Sequence, residues 1–241
     1  MISLKKVVPY FFIIISIVCL VYVGNFSDSV PVQNAADAPV IIIDAGHGGA
    51  DGGAVASDGT QEQHLNLDIA LKINSYLSEH GYKTILTRSD DNSIHNTGAD
   101  TIRQQKVSDI HNRLKIIESN PDSVFVSVHM NYFTESKYSG TQVFYSPNNT
   151  DSEKLAQHIQ NSVVTFLQPD NTRQIKQSDS SIYLLYHSSV PSVMVECGFL
   201  SNAEETEKLK NDNYRTQMAE SICNGIINYL NSTEYESVIR N

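Results

Sequence analysis

Four residues, His47, Glu62, His129 and Glu196, have the types and the surroundings to form a catalytic site. His47 sits in residues 40–53, VIIIDAGHGGADGG, where five glycines fall among the eight residues 46–53. Glycines at that density let backbone approach closely and spare side-chain bulk around the imidazole. His129 directly follows the apolar run 124–128, in SVHMN, and Glu196 directly follows 193–195, in VMVECGF. Glu62 lies in QEQHLNLDIALKI, where positions 62, 65, 66, 69 and 73 share one face of a helix, because seven residues return to within about 20°. That face packs inward, and a carboxylate buried alone costs several kcal/mol, so Glu62 needs a cation. The helix dipole supplies only about 0.3–1 kcal/mol of the compensation. Two histidines and one glutamate from separate elements make the ligand set of a catalytic zinc ion, Zn2+, with water in the fourth position. Zinc lowers the pKa of that water to about 7. Glu196, at the same edge on another strand, is placed to accept its proton.

Taken singly, each residue has an ordinary reading. His47 could be satisfied by backbone in a glycine loop, His129 could be a buried hydrogen-bonded histidine, Glu62 a solvated first-turn glutamate, and Glu196 half of a structural ion pair. The four at one edge are a stronger signal than any one of them. His64, about 200° round the helix from Glu62, should face solvent, and His80, His95, His111, His158 and His187 read as surface residues. A phosphate cradle fits poorly: Gly46 and Gly48 begin G-x-G-x-x-G, but its last position is Asp51. A serine or cysteine nucleophile fits no better. There is no G-x-S-x-G, and Cys197, next to Glu196 on a strand, points to the opposite face.

The elements that must position these groups alternate along the chain. Strands are expected at 40–44, 83–87, 123–128, 141–145, around 182–185 and at 192–196. Helices are expected from near Glu62 to before Gly81, over 104–118, from Asp151 or Ser152 to 167, and within 204–230. The polar stretch 89–102 reads as a long surface loop. This order predicts a single α/β domain with a twisted, mostly parallel sheet flanked by helices on both faces. Ligands of such sheets bind beyond the carboxyl ends of the strands, where the three apolar runs end.

Length and charge bound the rest. With 241 residues the chain suits one good-sized domain. After residue 27 it carries 15 basic against 27 acidic side chains, which argues against nucleic acid as a partner. Residues 7–24 are uncharged and follow Lys5 and Lys6. That run lies at the spanning end, about 17–25 residues, and exceeds the usual signal-peptide core of about 7–15. Pro39 after Ala36-Asp37-Ala38 would hinder cleavage, which favours an uncleaved anchor over a removed signal. Either way the domain is exported, anchored at the outer face of the membrane or secreted. The expected organisation is an anchor or signal at 1–24, a tether at 25–39, a catalytic domain at 40–231 and a tail at 232–241. Three cysteines give no disulfide framework.

The pieces IIIDAGHGGADGG at 41–53, E-x-x-L-N-L at 62–67, TR at 87–88, SVHMN at 127–131, SG-x-x-x-FY at 139–145 and VECGFLSN at 195–202 resemble the zinc-dependent N-acetylmuramoyl-L-alanine amidases, bacterial cell-wall hydrolases. The resemblance implies zinc on His47, Glu62 and His129, a catalytic Glu196, and peptidoglycan as substrate. IYLLYHSSVPSVMVECGFLSN at 182–202, the long polar insertion and the N-terminal segment look like the germination-specific, spore-cortex group, whose members prepare muramic acid for δ-lactam formation. Arg173 and Lys176 match a basic segment that could bind a substrate carboxylate, although Gln174 replaces a usual glycine, and Asn131 could hold the site or the substrate. An enzyme tethered beside its substrate also calls for control, so an activator protein is expected, though no residue identifies it. Another zinc hydrolase of the wall, a carboxypeptidase or a deacetylase, or a wall-binding protein with a structural metal, would use the same ligands.

Overall fold

The chain divides into two units, residues 1–32 and 33–241. The structure, a computed structural model, describes Ala35 and residues 38–232, all in the second unit. The expected anchor lies outside the described residues, as does most of the tether and of the tail. Among the described residues no helix is long and apolar enough to cross a membrane.

Strand β1 (Val40–Ala45) is apolar on both faces because it lies inside the sheet. It is followed by α1 (Glu62–Glu79), β2 (Thr84–Leu86), α2 (Ile102–Glu118), β3 (Ser123–Asn131), β4 (Gln142–Tyr145), α3 (Asp151–Phe166), β5 (Lys176–Gln177), α4 (Tyr183–His187), β6 (Ser192–Phe199), α5 (Ala203–Lys210) and α6 (Asp212–Leu230). The six strands lie in the order β2-β1-β3-β6-β4-β5. The first four are mutually parallel; β4 runs antiparallel to β6, and β5 follows β4.

Alternation along the strands splits the core in two. Ile41 and Ile43, Val124, Val126 and Val128, and Val193 and Val195 face α1, α3 and α6. Ile42, Phe125, Met194 and Phe144 face α2 and α4 on the other side. The expected α/β layering is therefore present, with helices on both faces.

One local expectation is corrected. Residues 182–185 form no strand; 183–187 are the short helix α4, which turns Leu184 and Leu185 into the second core. A short apolar run does not distinguish a strand from a buried helical turn. The helical material expected within 204–230 is present as two helices, because Asn211 is extended and caps α6 by accepting a hydrogen bond from Tyr214 N at 3.2 Å. Helix α2 begins two residues earlier than its periodicity suggests, at a capping box between Thr101 and Gln104.

Candidate metal centre

The segment that carries His47 is held in an uncommon conformation. His47 has φ +64°, the left-handed region, and is the one non-glycine residue with positive φ among the described residues. Such a backbone costs about 1–2 kcal/mol for a residue with a side chain. Buried donors hold it in place. Arg113 donates from Nη2 to His47 O at 2.6 Å and from Nη1 to Ala45 O at 2.7 Å. Arg88 donates to Ala45 O at 2.9 Å and Gly46 O at 3.0 Å, and Asn66 Nδ2 reaches Gly46 O at 3.1 Å.

Two glycines are required by what lies against them. A Cβ on Gly46 would fall 2.2 Å from His129 Nε2, and one on Gly53 would fall 2.5 Å from Glu62 Oε2 and 2.8 Å from His47 Cδ2. The space that the glycines leave is thus taken up by the other members of the site.

His47, Glu62 and His129 each offer a ligand atom, all within 4.8 Å of one another. Glu62 Oε1 lies 3.3 Å from His47 Nε2 and 2.9 Å from His129 Nδ1. A tetrahedral zinc ion with bonds of about 2.0–2.1 Å sets its ligand atoms about 3.3 Å apart, so the spacing fits. Glu62, 3% exposed, is held by Met130 N at 3.0 Å and Asn66 Nδ2 at 3.2 Å on Oε1, and by Ala54 N at 2.8 Å on Oε2. His47 Nδ1 is turned to Asp51 Oδ2 at 3.0 Å, which leaves Nε2 for an ion, and Lys106 holds the other Asp51 oxygen at 2.8 Å. A carboxylate on the outer nitrogen of a metal-binding histidine fixes its tautomer and ring orientation.

The electrostatics point the same way. Burial tends to lower the pKa of His47, but hydrogen bonds to Asp51 and Glu62 outweigh it and raise it to about 9. Burial tends to raise that of Glu62, but His129 and His47 hold it well below the usual carboxylate range. With the His47 pKa raised, a metal ion held at Nε2 would have to displace a proton.

Glu196 pairs with His129 in the register of β3 and β6, on the face that also carries Met194. Its Oε2 is buried and has no hydrogen-bond partner among the described residues. Burial raises its pKa to about 7, against the lowering effect of His129. An orphaned carboxylate oxygen beside the three donors is poised to take up a proton. Cys197 faces the opposite core, and burial pushes its thiol pKa up, which leaves it inert.

The expectation that His64 faces solvent also holds: it is exposed and pairs with Asp91 at 3.1 Å. Asn131 ends β3 and pairs with Phe199. Arg173 lines an open cavity of about 660 Å³ with Lys137 and Lys208, and its guanidinium lies 4.7 Å from the centre of the Phe199 ring. Lys176 stands elsewhere, on β5, with Nζ 5.8 Å from the Phe144 ring centre.

Sequence reasoning missed the supports: Asp44, Asn66, Asp51 and Arg113. Asp44 accepts from Thr87 Oγ1 at 2.7 Å and Ser127 Oγ at 2.5 Å and pairs with Arg113, which also binds Asp109 Oδ2 at 2.7 Å. An Asp inside an apolar strand, and Asp109 and Arg113 four apart on one helix, were the available signals.

A family model described as N-acetylmuramoyl-L-alanine amidase matches residues 41–228. The chain is 34% identical over 190 residues, 79% of each sequence, to the germination-specific N-acetylmuramoyl-L-alanine amidase of Bacillus subtilis. Its structure matches that of the CwlD amidase from Clostridioides difficile, solved in complex with the GerS lipoprotein, with a TM-score of 0.77 and 41% identity, over 80% of this chain and 98% of that one. The amidase AmiC2 of Nostoc punctiforme matches with a TM-score of 0.69 and 29% identity, over 80% and 98% of the two chains. By sequence and by fold, the chain belongs to the N-acetylmuramoyl-L-alanine amidase family.

Proposed function

We propose that this amidase is zinc-dependent and hydrolyses the amide between the lactyl group of N-acetylmuramic acid and L-alanine, with His47, Glu62 and His129 as ligands and Glu196 as the general base. The observation that carries the reading is the convergence of three donor atoms within 4.8 Å beside a carboxylate whose Oε2 is buried and unpartnered. An ion in this donor set would polarise the scissile carbonyl and acidify a water molecule. Glu196 accepts the proton of the attacking water, then delivers it to the departing alanine nitrogen, and its pKa near 7 suits both transfers. His47 stays oriented by Asp51, and the buried Arg88 and Arg113 keep its loop from relaxing.

Arg173 is a candidate for a stem-peptide carboxylate, since it lines an open cavity and its Nε is buried without a partner. Lys176 and Asn131 are weaker candidates on position alone. The relatives support a role in spore-cortex maturation at the outer face of the membrane. The uncharged run 7–24 supports an N-terminal anchor, and the lipoprotein bound to the Clostridioides difficile relative supports a protein partner of that kind.

Digestion of purified peptidoglycan by the zinc-loaded protein, followed by mass analysis, tests the reaction. New L-alanine amino termini are expected, whereas freed D-alanine would mean a carboxypeptidase. Glu196→Ala should retain zinc and lose activity; loss of the metal as well would make Glu196 a ligand. His47→Ala should lose zinc.

A further inference from the structure

Beyond the pair His129 and Glu196, the register of β3 and β6 shifts, and the next pair is Asn131 with Phe199. The chain then leaves β3 through Tyr132 and Phe133, which are 55% and 49% exposed. Of the other large hydrophobic residues exposed among those described, Val55 lies in the loop before α1 and Ile102, Val107, Phe166 and Tyr186 lie on helices, and no two of them are adjacent in sequence. Phe133 is packed rather than loose. Its amide donates to Ser201 Oγ at 3.2 Å, and its ring meets Tyr138 edge to face at 5.1 Å. Tyr138 in turn lies 6.3 Å from Phe199, tilted by 31°. A row of rings therefore runs outward from the strand pair that bears a metal ligand and the general base.

Rigid, water-exposed rings with polar neighbours present flat π faces at low ordering cost. The residues between them, Thr134, Glu135, Ser136 and Lys137, are polar and exposed. This mixture suits a pyranose, which lays its C–H face on a ring and keeps its hydroxyls in water. A broad apolar protein interface would instead need a continuous patch. A muramoyl residue in peptidoglycan is one unit of a longer glycan, so a neighbouring sugar must lie against the surface beside the cleaved bond.

We infer that Tyr132, Phe133 and Tyr138 form a saccharide subsite that stacks a sugar ring adjoining the muramoyl residue under attack. The inference rests on the amidase reading above. The subsite makes the enzyme prefer glycan chains to single units.

The zinc-loaded full chain is tested on glycan strands bearing stem peptides and on a single N-acetylmuramoyl-peptide, with kcat/KM measured for both. The double variant Tyr132→Leu, Phe133→Leu keeps an apolar surface but removes the rings. The preference for strands over the single unit should fall tenfold or more, mostly through KM, and Tyr132→Phe with Phe133→Tyr should restore it. An unchanged preference, or an equal loss on both substrates, overturns the subsite. A leucine variant that keeps the preference but no longer binds a protein partner would also overturn it, and would assign the patch to protein docking. If the unmodified enzyme releases no L-alanine termini from either substrate, it is the amidase reading that fails.

Discussion

Asp44 and Glu62 are both buried carboxylates at the carboxyl end of the sheet, 1% and 3% exposed, yet the fold answers their charges in opposite ways. Asp44 has a protein cation: Arg113 pairs with it, Thr87 and Ser127 fill its remaining acceptor positions, and its pKa, which burial would raise, is lowered by Arg113. Among the described residues Glu62 has no lysine or arginine in hydrogen-bond or ion-pair contact; its partners are backbone and Asn66 donors and two imidazoles. One carboxylate is closed by the chain itself, and the other is left open to an ion from solution. The closed one also serves the open one, since the arginine that neutralises Asp44 holds the carbonyl of His47.

The contrast can be broken most severely at Arg113. Arg113→Ala leaves Asp44 buried and unpaired, and unfolding in urea should show a loss of about 3–5 kcal/mol. Zinc affinity, measured by competition with a chelator, should fall as well, because the His47 loop loses its clamp. A stable Arg113→Ala protein would mean that Asp44 is not held as a charge.

Asp44 and the His47 partner of Glu62 should also respond to pH in opposite windows. Asp44 has a depressed pKa, so its contribution is present above the unfolded value of 3.8 and is lost as the pH falls below it. His47, paired with Asp51 and Glu62, has a raised pKa, so its contribution is complete below 6.5 and is lost as the pH rises to about 9. For the metal-free protein this second loss is about 3 kcal/mol at most, read as a falling urea midpoint. Saturating zinc takes the proton's place and should remove the alkaline fall. Persistence of that fall in the loaded protein would contradict the assignment of His47 as a ligand.

Asp51 separates the orientation of a ligand from the stability of the fold. Asp51→Asn should weaken zinc binding by about 10–100-fold, as loss of the carboxylate behind a ligand does, with little change in metal-free unfolding above about pH 9, where His47 carries no proton. Equal affinity in the variant would make the contact of Asp51 with His47 incidental. The smallest effect belongs to a part of the molecule remote from both carboxylates. Thr101→Ala removes the capping box of α2 and should cost about 1 kcal/mol in unfolding while zinc affinity stays constant. A change in affinity there would show that the start of α2, through Lys106 and Asp51, positions His47.

The sequence alone determined the layering and the identity of the four polar residues at the sheet edge. Apolar runs at 40–43, 124–128 and 193–195, each bounded by polar residues, read as interior strands, and polar residues that end such runs emerge together if the strands are parallel. The helical face of Glu62 was legible for the same reason, since a period of 3.6 places it with Leu65, Ile69 and Ile73. Tertiary structure alone decided what depends on contacts distant in sequence. Asp44 meets Arg113 across 69 positions, and no local pattern records that pairing. The reversal of β4 and β5 appears only in the pairing of β4 with β6, and the turn of residues 183–187 into a helix places Leu184 and Leu185 in the second core; periodicity is silent on both. The left-handed backbone of His47 likewise became necessary only once Arg88, Arg113 and Asn66 were seen to hold it, and Gly46 and Gly53 to lie under its partners.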